Sequence, residues 1–185
     1  YKHDGNSYYG TATVCTVSGT SISFGTAVVF KAANTAALGA VYDTTANKVV
    51  IPYAISGAGK AVVGTVSGTS ISFGAEAEFS STGVGSVACA YDSTGNKTVV
   101  SHTEAVTTFD GFAVAGTVSG TSISFGTALN FTGDVSYSSI DGNNTVYDPD
   151  ENKMVSAYRP GFGAVYTTTT SNLTATNFIG ISDAA

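Results

Sequence analysis

Charge is what this sequence has least of. Only 11 % of its 185 residues are charged, less than half the usual share, with seven Lys and Arg against thirteen Asp and Glu. Seven scattered cations form no basic stripe to neutralise phosphates, which argues against nucleic acid and against anionic membrane surfaces. No apolar run approaches ~18 residues, so no segment inserts as a membrane-spanning helix. Tryptophan is absent, and there are two cysteines and two histidines. Two cysteines in so long a chain are no disulfide scaffold: Cys15 and Cys89 read as buried, unpaired small residues in preference to a bridge. With only His3 and His102 beside them, a zinc site lacks converging ligands. Tyr1 stands where an initiator Met would, with no signal-peptide pattern after it. The reading is a chain that is processed, cut from something longer, or incompletely known at its N-terminus.

What is present is repetition. Thr-Val-Ser-Gly-Thr-Ser-Ile-Ser-Phe-Gly occurs three times unchanged, starting at Thr16, Thr65 and Thr117, at spacings of 49 and 52 residues. A second motif, Tyr-Asp-x-x-x-Asn-Lys, starts at Tyr42, Tyr91 and Tyr147, and the two motifs alternate strictly. A degenerate fourth copy of the first runs from Thr169 to Phe178. Chance does not produce three identical decapeptides, so this is a repeat protein.

Each motif reads as the turn of a hairpin. In the first, here called B, Gly19 supplies the positive φ that a two-residue turn needs. The outgoing strand alternates, and the reading places Ile22, Phe24, Thr26, Val28 and Phe30 on one face. Ile71, Phe73, Ala75, Ala77 and Phe79 form the same set, as do Ile123, Phe125, Thr127, Leu129 and Phe131, with Glu76, Glu78 and Asn130 on the wet side. In the second hairpin, A, the pairs Asp43 with Asn47, Asp92 with Asn96 and Asp148 with Asn152 bind turn amides. The strands that follow are predicted at Lys48–Tyr53, Lys97–His102 and Lys153–Tyr158, and Pro52 marks the first as an edge.

The chain thus reads B-A-B-A-B-A-B. One A plus one B is a four-stranded antiparallel unit of about fifty residues, the size of a propeller blade. The expected fold is all-β, a single repeat domain (residues 1–40 partial, 41–90, 91–145 and 146–185) of about 3.5 blades in a β-propeller-like arrangement. A β-sandwich or a solenoid of stacked hairpins uses the same patterns. Cys15, Gly64 and Gly116 share one position, where small residues suit a crowded innermost strand.

The residues carry a resemblance. VYDTTANKVVIPY followed by KAVVGTVSGTSISFG resembles tandem repeats of the form VYDxxxNKVVIAYxDxGNxxYGTAVVGTVSGTSISFGTxVVF. Such repeats occur in large structural or fibre-like proteins of marine bacteriophages and in surface proteins of aquatic microbes. The resemblance runs from Tyr1 to about Tyr158. It implies a propeller-like repeat in an extracellular or virion-borne protein and brings no catalytic residue. From Arg159 the pattern departs, as a terminal capping repeat does.

Candidate chemistry is thin. His102 stands where Tyr53 and Tyr158 stand in the sister copies and reads as a solvent-tipped strand residue rather than a base. The run Asp148-Pro149-Asp150-Glu151-Asn152 offers oxygens to Ca²⁺ but lacks the EF-hand spacing, and reads as a solvated turn. No Gly-x-Ser-x-Gly is present. Glu76 with Glu78, or Glu104 with Asp110, are the only carboxylate pairs to weigh for glycoside hydrolysis. Glycosylation sequons begin at Asn96, Asn130, Asn143 and Asn172 at near-chance frequency. The expectation is therefore a non-enzymatic extracellular structural module of a phage fibre or microbial surface filament or adhesin. It needs no catalytic residue, cofactor or metal, and its partners are further copies of itself. The alternative is a lectin-like propeller in which Tyr8, Tyr9, Tyr53, Tyr137 and Tyr158 stack on a cell-surface glycan.

Overall fold

In the computed structural model, the described residues are 2–3, 7–104, 110–132, 140–160, 164–168 and 178–180. Every regular element among them is a β-strand, and all pairing is antiparallel. The strands form consecutive sheets that follow the repeats. The first holds β1 (Lys2–His3), β2 (Tyr9–Ala12) and β5 (Val28–Asn34), with the hairpin β3 (Cys15–Ser18) and β4 (Ser21–Phe24) continuing from it. The second runs β6 (Val41–Asp43), β7 (Lys48–Ile55), β8 (Ala58–Ser67), with β9 (Ser70–Phe73) and β10 (Ala77–Ser80) both on β8. The third repeats this with β11 (Val84–Asp92), β12 (Lys97–Glu104), β13 (Gly111–Ser119), β14 (Ser122–Phe125) and β15 (Leu129–Asn130). The fourth is β16 (Ile140–Asp148), β17 (Lys153–Pro160), β18 (Ala164–Thr168) and β19 (Phe178–Gly180). β11 and β16 each start seven residues before the motif tyrosine.

Local chemistry sets the turns. Gly19, Gly68 and Gly120 lead the B turns at φ +58°, +58° and +62°, which a side chain there would strain. In the A turns Asp43, Asp92 and Asp148 each accept two backbone N–H bonds through Oδ1, at 2.8 to 3.2 Å. Asn47, Asn96 and Asn152 close these turns at φ near +54°, the left-handed region that asparagine tolerates.

The fourth strand of each of the first three units departs from the expected single face. Gly64 pairs with Phe73 and Ala61 with Ala77, so three steps along β8 oppose four along its partner. The same surplus residue separates Cys15↔Phe24 from Ala12↔Val28 and Gly116↔Phe125 from Ala113↔Leu129. This is a β-bulge at the decapeptide's last glycine, whose N–H bonds across to Val14, Val63 or Ala115 at 2.8 to 3.0 Å. Beyond it the side chains change face. A Cβ on Gly64 would meet Ile71 and Phe73, whereas one on Gly59 would meet the ring of Phe79. Residues 59 and 64 lie an odd number apart on one strand, so Phe73 and Phe79 face opposite ways.

Each unit therefore offers a phenylalanine to both neighbours. Phe30 of the first sheet packs on Tyr53 and Phe73 of the second, and Phe79 of the second on His102 and Phe125 of the third. Phe131 of the third meets Tyr158 of the fourth. These rings anchor three apolar layers between successive sheets, around Ile51, Val100 and Met154. Against the third and fourth sheets a hydroxyl seam also closes, where Ser101 meets Thr145, and Thr145 meets Ser156 at 2.9 Å. Sheets thus stack face to face in chain order.

Pro52 is no rim residue. It is fully buried on β7, which lies between β6 and β8. Its carbonyl accepts the Gly39 N–H at 3.0 Å, and with no N–H to return the bond the ladder is interrupted there, resuming only as the single bridge between Ala36 and Ala54. That is why β6 has three residues where β11 and β16 have nine.

A Cβ on Gly74 would press into the Thr121 backbone carbonyl of the next unit, while one on Gly64 meets the movable tip of Ile71. Gly74→Ala is expected to lower unfolding stability by about 1–3 kcal/mol and Gly64→Ala by clearly less, read from urea denaturation. Equal losses would mean that the bulge contact does not order the stack.

Candidate functional site

The contacts that join the repeats are made by the repeated motifs themselves. Gly25 lies against Thr69, and Gly74 against Thr121, so the tenth residue of one decapeptide meets the fifth of the next. The A turns link in the same way. Tyr91 donates its hydroxyl to Thr45 of the preceding turn at 2.7 Å, and Thr45 donates to Asn96 at 2.7 Å. Tyr147 donates to Thr94 at 2.6 Å. Tyr42, the first of the series, donates to its own Asn47.

A second cluster ties the first sheet to the second. Lys31 Nζ lies 2.6 Å from Glu76 Oε2 and Lys60 Nζ 3.2 Å from Oε1. The Tyr53 hydroxyl donates to Oε2 at 2.8 Å. The Lys31 hydrogen bond, with those of Tyr53 and Lys60, holds the Glu76 carboxyl down to about 2. Burial, and then Glu76, push the Tyr53 hydroxyl well above its ordinary value. A carboxylate so neutralised is an anchor, not a general acid. Glu78 faces Lys60 at 3.7 Å. Glu104 meets Thr82 through its carboxylate and Asp110 only through the backbone.

His102 is the clearest departure from expectation. It is 1 % exposed, stacked on Phe112 at 5.7 Å and tilted against Phe79 at 5.3 Å. Burial pushes its pKa down to about 4, so at neutral pH it serves as a flat apolar ring. Tyr53 and Tyr158, its counterparts, are buried as well and have no face to offer a sugar. Tyr8 is exposed and Tyr9 half-buried, while Tyr137 lies outside the described residues. Both cysteines are free. Cys15 is exposed rather than buried, and Cys89 is half-buried with its thiol pushed up to about 12 by burial.

In the acidic turn, Asp148 spends Oδ1 on the amides of Asp150 and Glu151. Among the described residues no three His, Cys, Asp or Glu converge as metal ligands. Of the sequons, Asn130 accepts from Thr132 and Asn96 closes its turn. The Asn143 amide nitrogen is buried, so the folded arrangement leaves no room for a glycan on it. Asn172 lies outside the described residues, as do all of Thr169–Phe178 but its last residue. No family model matches the chain, and no curated protein matches it.

The motif contacts could have been found by asking why two distant positions of one decapeptide stay identical. Nothing local marks His102 as buried. Its titration has a signature. Unfolded, the imidazole protonates near 6.5; folded, only near 4. Acid therefore protonates the unfolded chain first. Stability present above pH 6.5 is lost as pH falls toward 4, by about 3 kcal/mol at most. Glu76, depressed from 4.5 to about 2, adds a second, smaller loss between those values. Urea titrations across this range should show both steps, and His102→Tyr should remove the first. A first step that survives in His102→Tyr would assign it elsewhere.

Proposed function

We propose that this chain is a non-enzymatic structural module of an extracellular assembly, a phage fibre or a microbial surface filament or adhesin, built to continue in one direction. The observation that carries the reading is that the motif contacts recur from junction to junction: Gly with Thr and Phe with Phe at the first and second, and Tyr with Thr at the second and third. A surface that repeats along the chain is one that further copies can extend. The low charge, the hydroxyl-rich sheets and the resemblance to fibre and surface repeats support the same reading. So does the use of Glu76 and His102 for packing, which leaves neither as an acid or base. We further infer a propeller-like arrangement, each four-stranded antiparallel unit acting as a blade that packs on the next.

The lectin alternative rests on fewer aromatics than the sequence suggested, since Tyr53 and Tyr158 are buried. Light scattering should show concentration-dependent association at micromolar protein. A folded 18.6 kDa species that stays monomeric would remove the assembly reading. Saturable binding to one glycan on an array would favour the lectin instead.

A further inference from the structure

Three of the four glycosylation sequons lie on described residues, and the fold treats their threonines differently. At Asn130 the Thr132 hydroxyl accepts the Gly111 N–H at 3.1 Å and donates to Asn130 Oδ1 at 2.9 Å. At Asn143 the Thr145 hydroxyl closes the seam with Ser101 and Ser156. Both hydroxyls are engaged by the fold. Thr98, the threonine of the Asn96 sequon, is not. It is fully buried, and its hydroxyl has no hydrogen-bond partner among the described residues.

Its place makes that hydroxyl a liability. Thr98 lies on β12 opposite Tyr91 and Gly116. It shares a face with Val100, so it looks into the apolar layer between the second and third sheets. The same motif position, two residues after the turn asparagine, holds Val49 in the second sheet and Met154 in the fourth, and both pack in apolar layers. An unpaired hydroxyl there works against the fold, where Val or Met works for it. Threonine at this position therefore answers to something other than the folded state.

Asn96 supplies that purpose. It is exposed at its A turn. Its Oδ1 accepts the Thr45 hydroxyl at 2.7 Å and the Tyr91 hydroxyl at 3.3 Å, so those contacts leave the amide nitrogen, the atom that takes a glycan, unused. Asn47 and Asn152, followed by Val49 and Met154, complete no sequon. Only at Asn96 does an exposed asparagine meet a threonine that the fold does not use.

We infer that Asn96 carries an N-linked glycan, attached before the third sheet folds. The inference rests on the extracellular reading above. In the transfer, the amide nitrogen bonds to the anomeric carbon of an oligosaccharide, and the bond from that carbon to a lipid pyrophosphate carrier breaks. The pyrophosphate leaves with the electron pair, and the amide gives one proton to solvent. A transferase that reads Asn-x-Thr needs the threonine hydroxyl, and Thr98 shows it only while β12 is unpaired. Folding then seals the hydroxyl and leaves the glycan at the turn, a hydrated cover on a chain that is only 11 % charged. A chain that meets a lipid-linked donor is exported as it is made, which selects the microbial surface form of that reading over the phage fibre.

Mass spectrometry of the chain isolated from its natural source should find a glycan on the peptide that contains Asn96. Enzymatic release of the glycan should leave aspartate at that position. Thr98→Val should abolish the glycan and Thr98→Ser should keep it. Made without glycosylation, Thr98→Val should raise the folding equilibrium constant about tenfold, read from urea denaturation, because the orphan hydroxyl is gone. A Thr98→Val chain that is less stable would show that the hydroxyl serves the fold, and the inference would be wrong. A surface-located chain with Asn96 bare would overturn the glycan and leave the extracellular reading standing. A chain confined to the cell interior with Asn96 bare would remove both.

Discussion

One extra residue in the fourth strand of each of the first three units is the constraint on which the rest depends. A strand that keeps its alternation shows its apolar residues to one side only, and a sheet built that way covers one neighbour. The bulge after Phe24, Phe73 and Phe125 turns the chain by one residue. The same strand then sends one phenylalanine back and the next one forward. Phe73 reaches Phe30 behind it, and Phe79 reaches His102 and Phe125 ahead. The forward rings need flat ground beneath them. Gly10, Gly59 and Gly111 provide it, since any Cβ there would stand inside the ring of Phe30, Phe79 or Phe131.

The bulge also explains why the decapeptide does not vary. Its glycine leaves room for a backbone carbonyl of the next unit, and that carbonyl belongs to the threonine of the next decapeptide's own turn. A change at the glycine alters the contact ahead of the unit, and a change at the threonine the contact behind it. The A turns share this logic through tyrosine and threonine hydroxyls, though there the partners are flexible side chains, and Asp150 stands in the series in place of threonine. Two kinds of junction, one steric and one hydrogen-bonded, hold the sheets in register toward opposite edges.

Between these edges the layers differ in chemistry. The junction of the second and third sheets is apolar, with Val50, Val63, Val100 and Val114 at its centre. The junction of the third and fourth carries the Ser101, Thr145 and Ser156 hydroxyls beside Met154 and Tyr158. Buried hydroxyls that bond one another add direction to a contact that apolar packing leaves free to slide. The first junction is tied at its rim by Lys31, Glu76, Lys60 and Tyr53. Partly exposed ion pairs of this kind contribute little stability but set which charges can face each other.

The sequence by itself determined that the chain is β and where its described A and B turns fall. Gly19, Asn47 and their counterparts act through their own backbone preferences, and those need no neighbour to be legible. The small residues at Gly64 and Gly116 read as the mark of an innermost strand crowded by neighbouring units. The crowding comes instead from Ile71 and Phe73, or Ile123 and Phe125, across their own hairpins, and Cys15 at the same position is exposed. What tertiary structure decided is which face each side chain takes and what covers it. Ile22 and Ile71 sit in identical decapeptides, yet one is bare and the other buried, because only the second has a sheet packed behind it. His102 and Pro52 look like a wet tip and an edge, and both are buried in the middle of a stack. Period-two reasoning across Phe24 and Phe30 failed because alternation carries no sign of an inserted residue. The bulge exists only where two strands are paired, and burial exists only where two sheets meet.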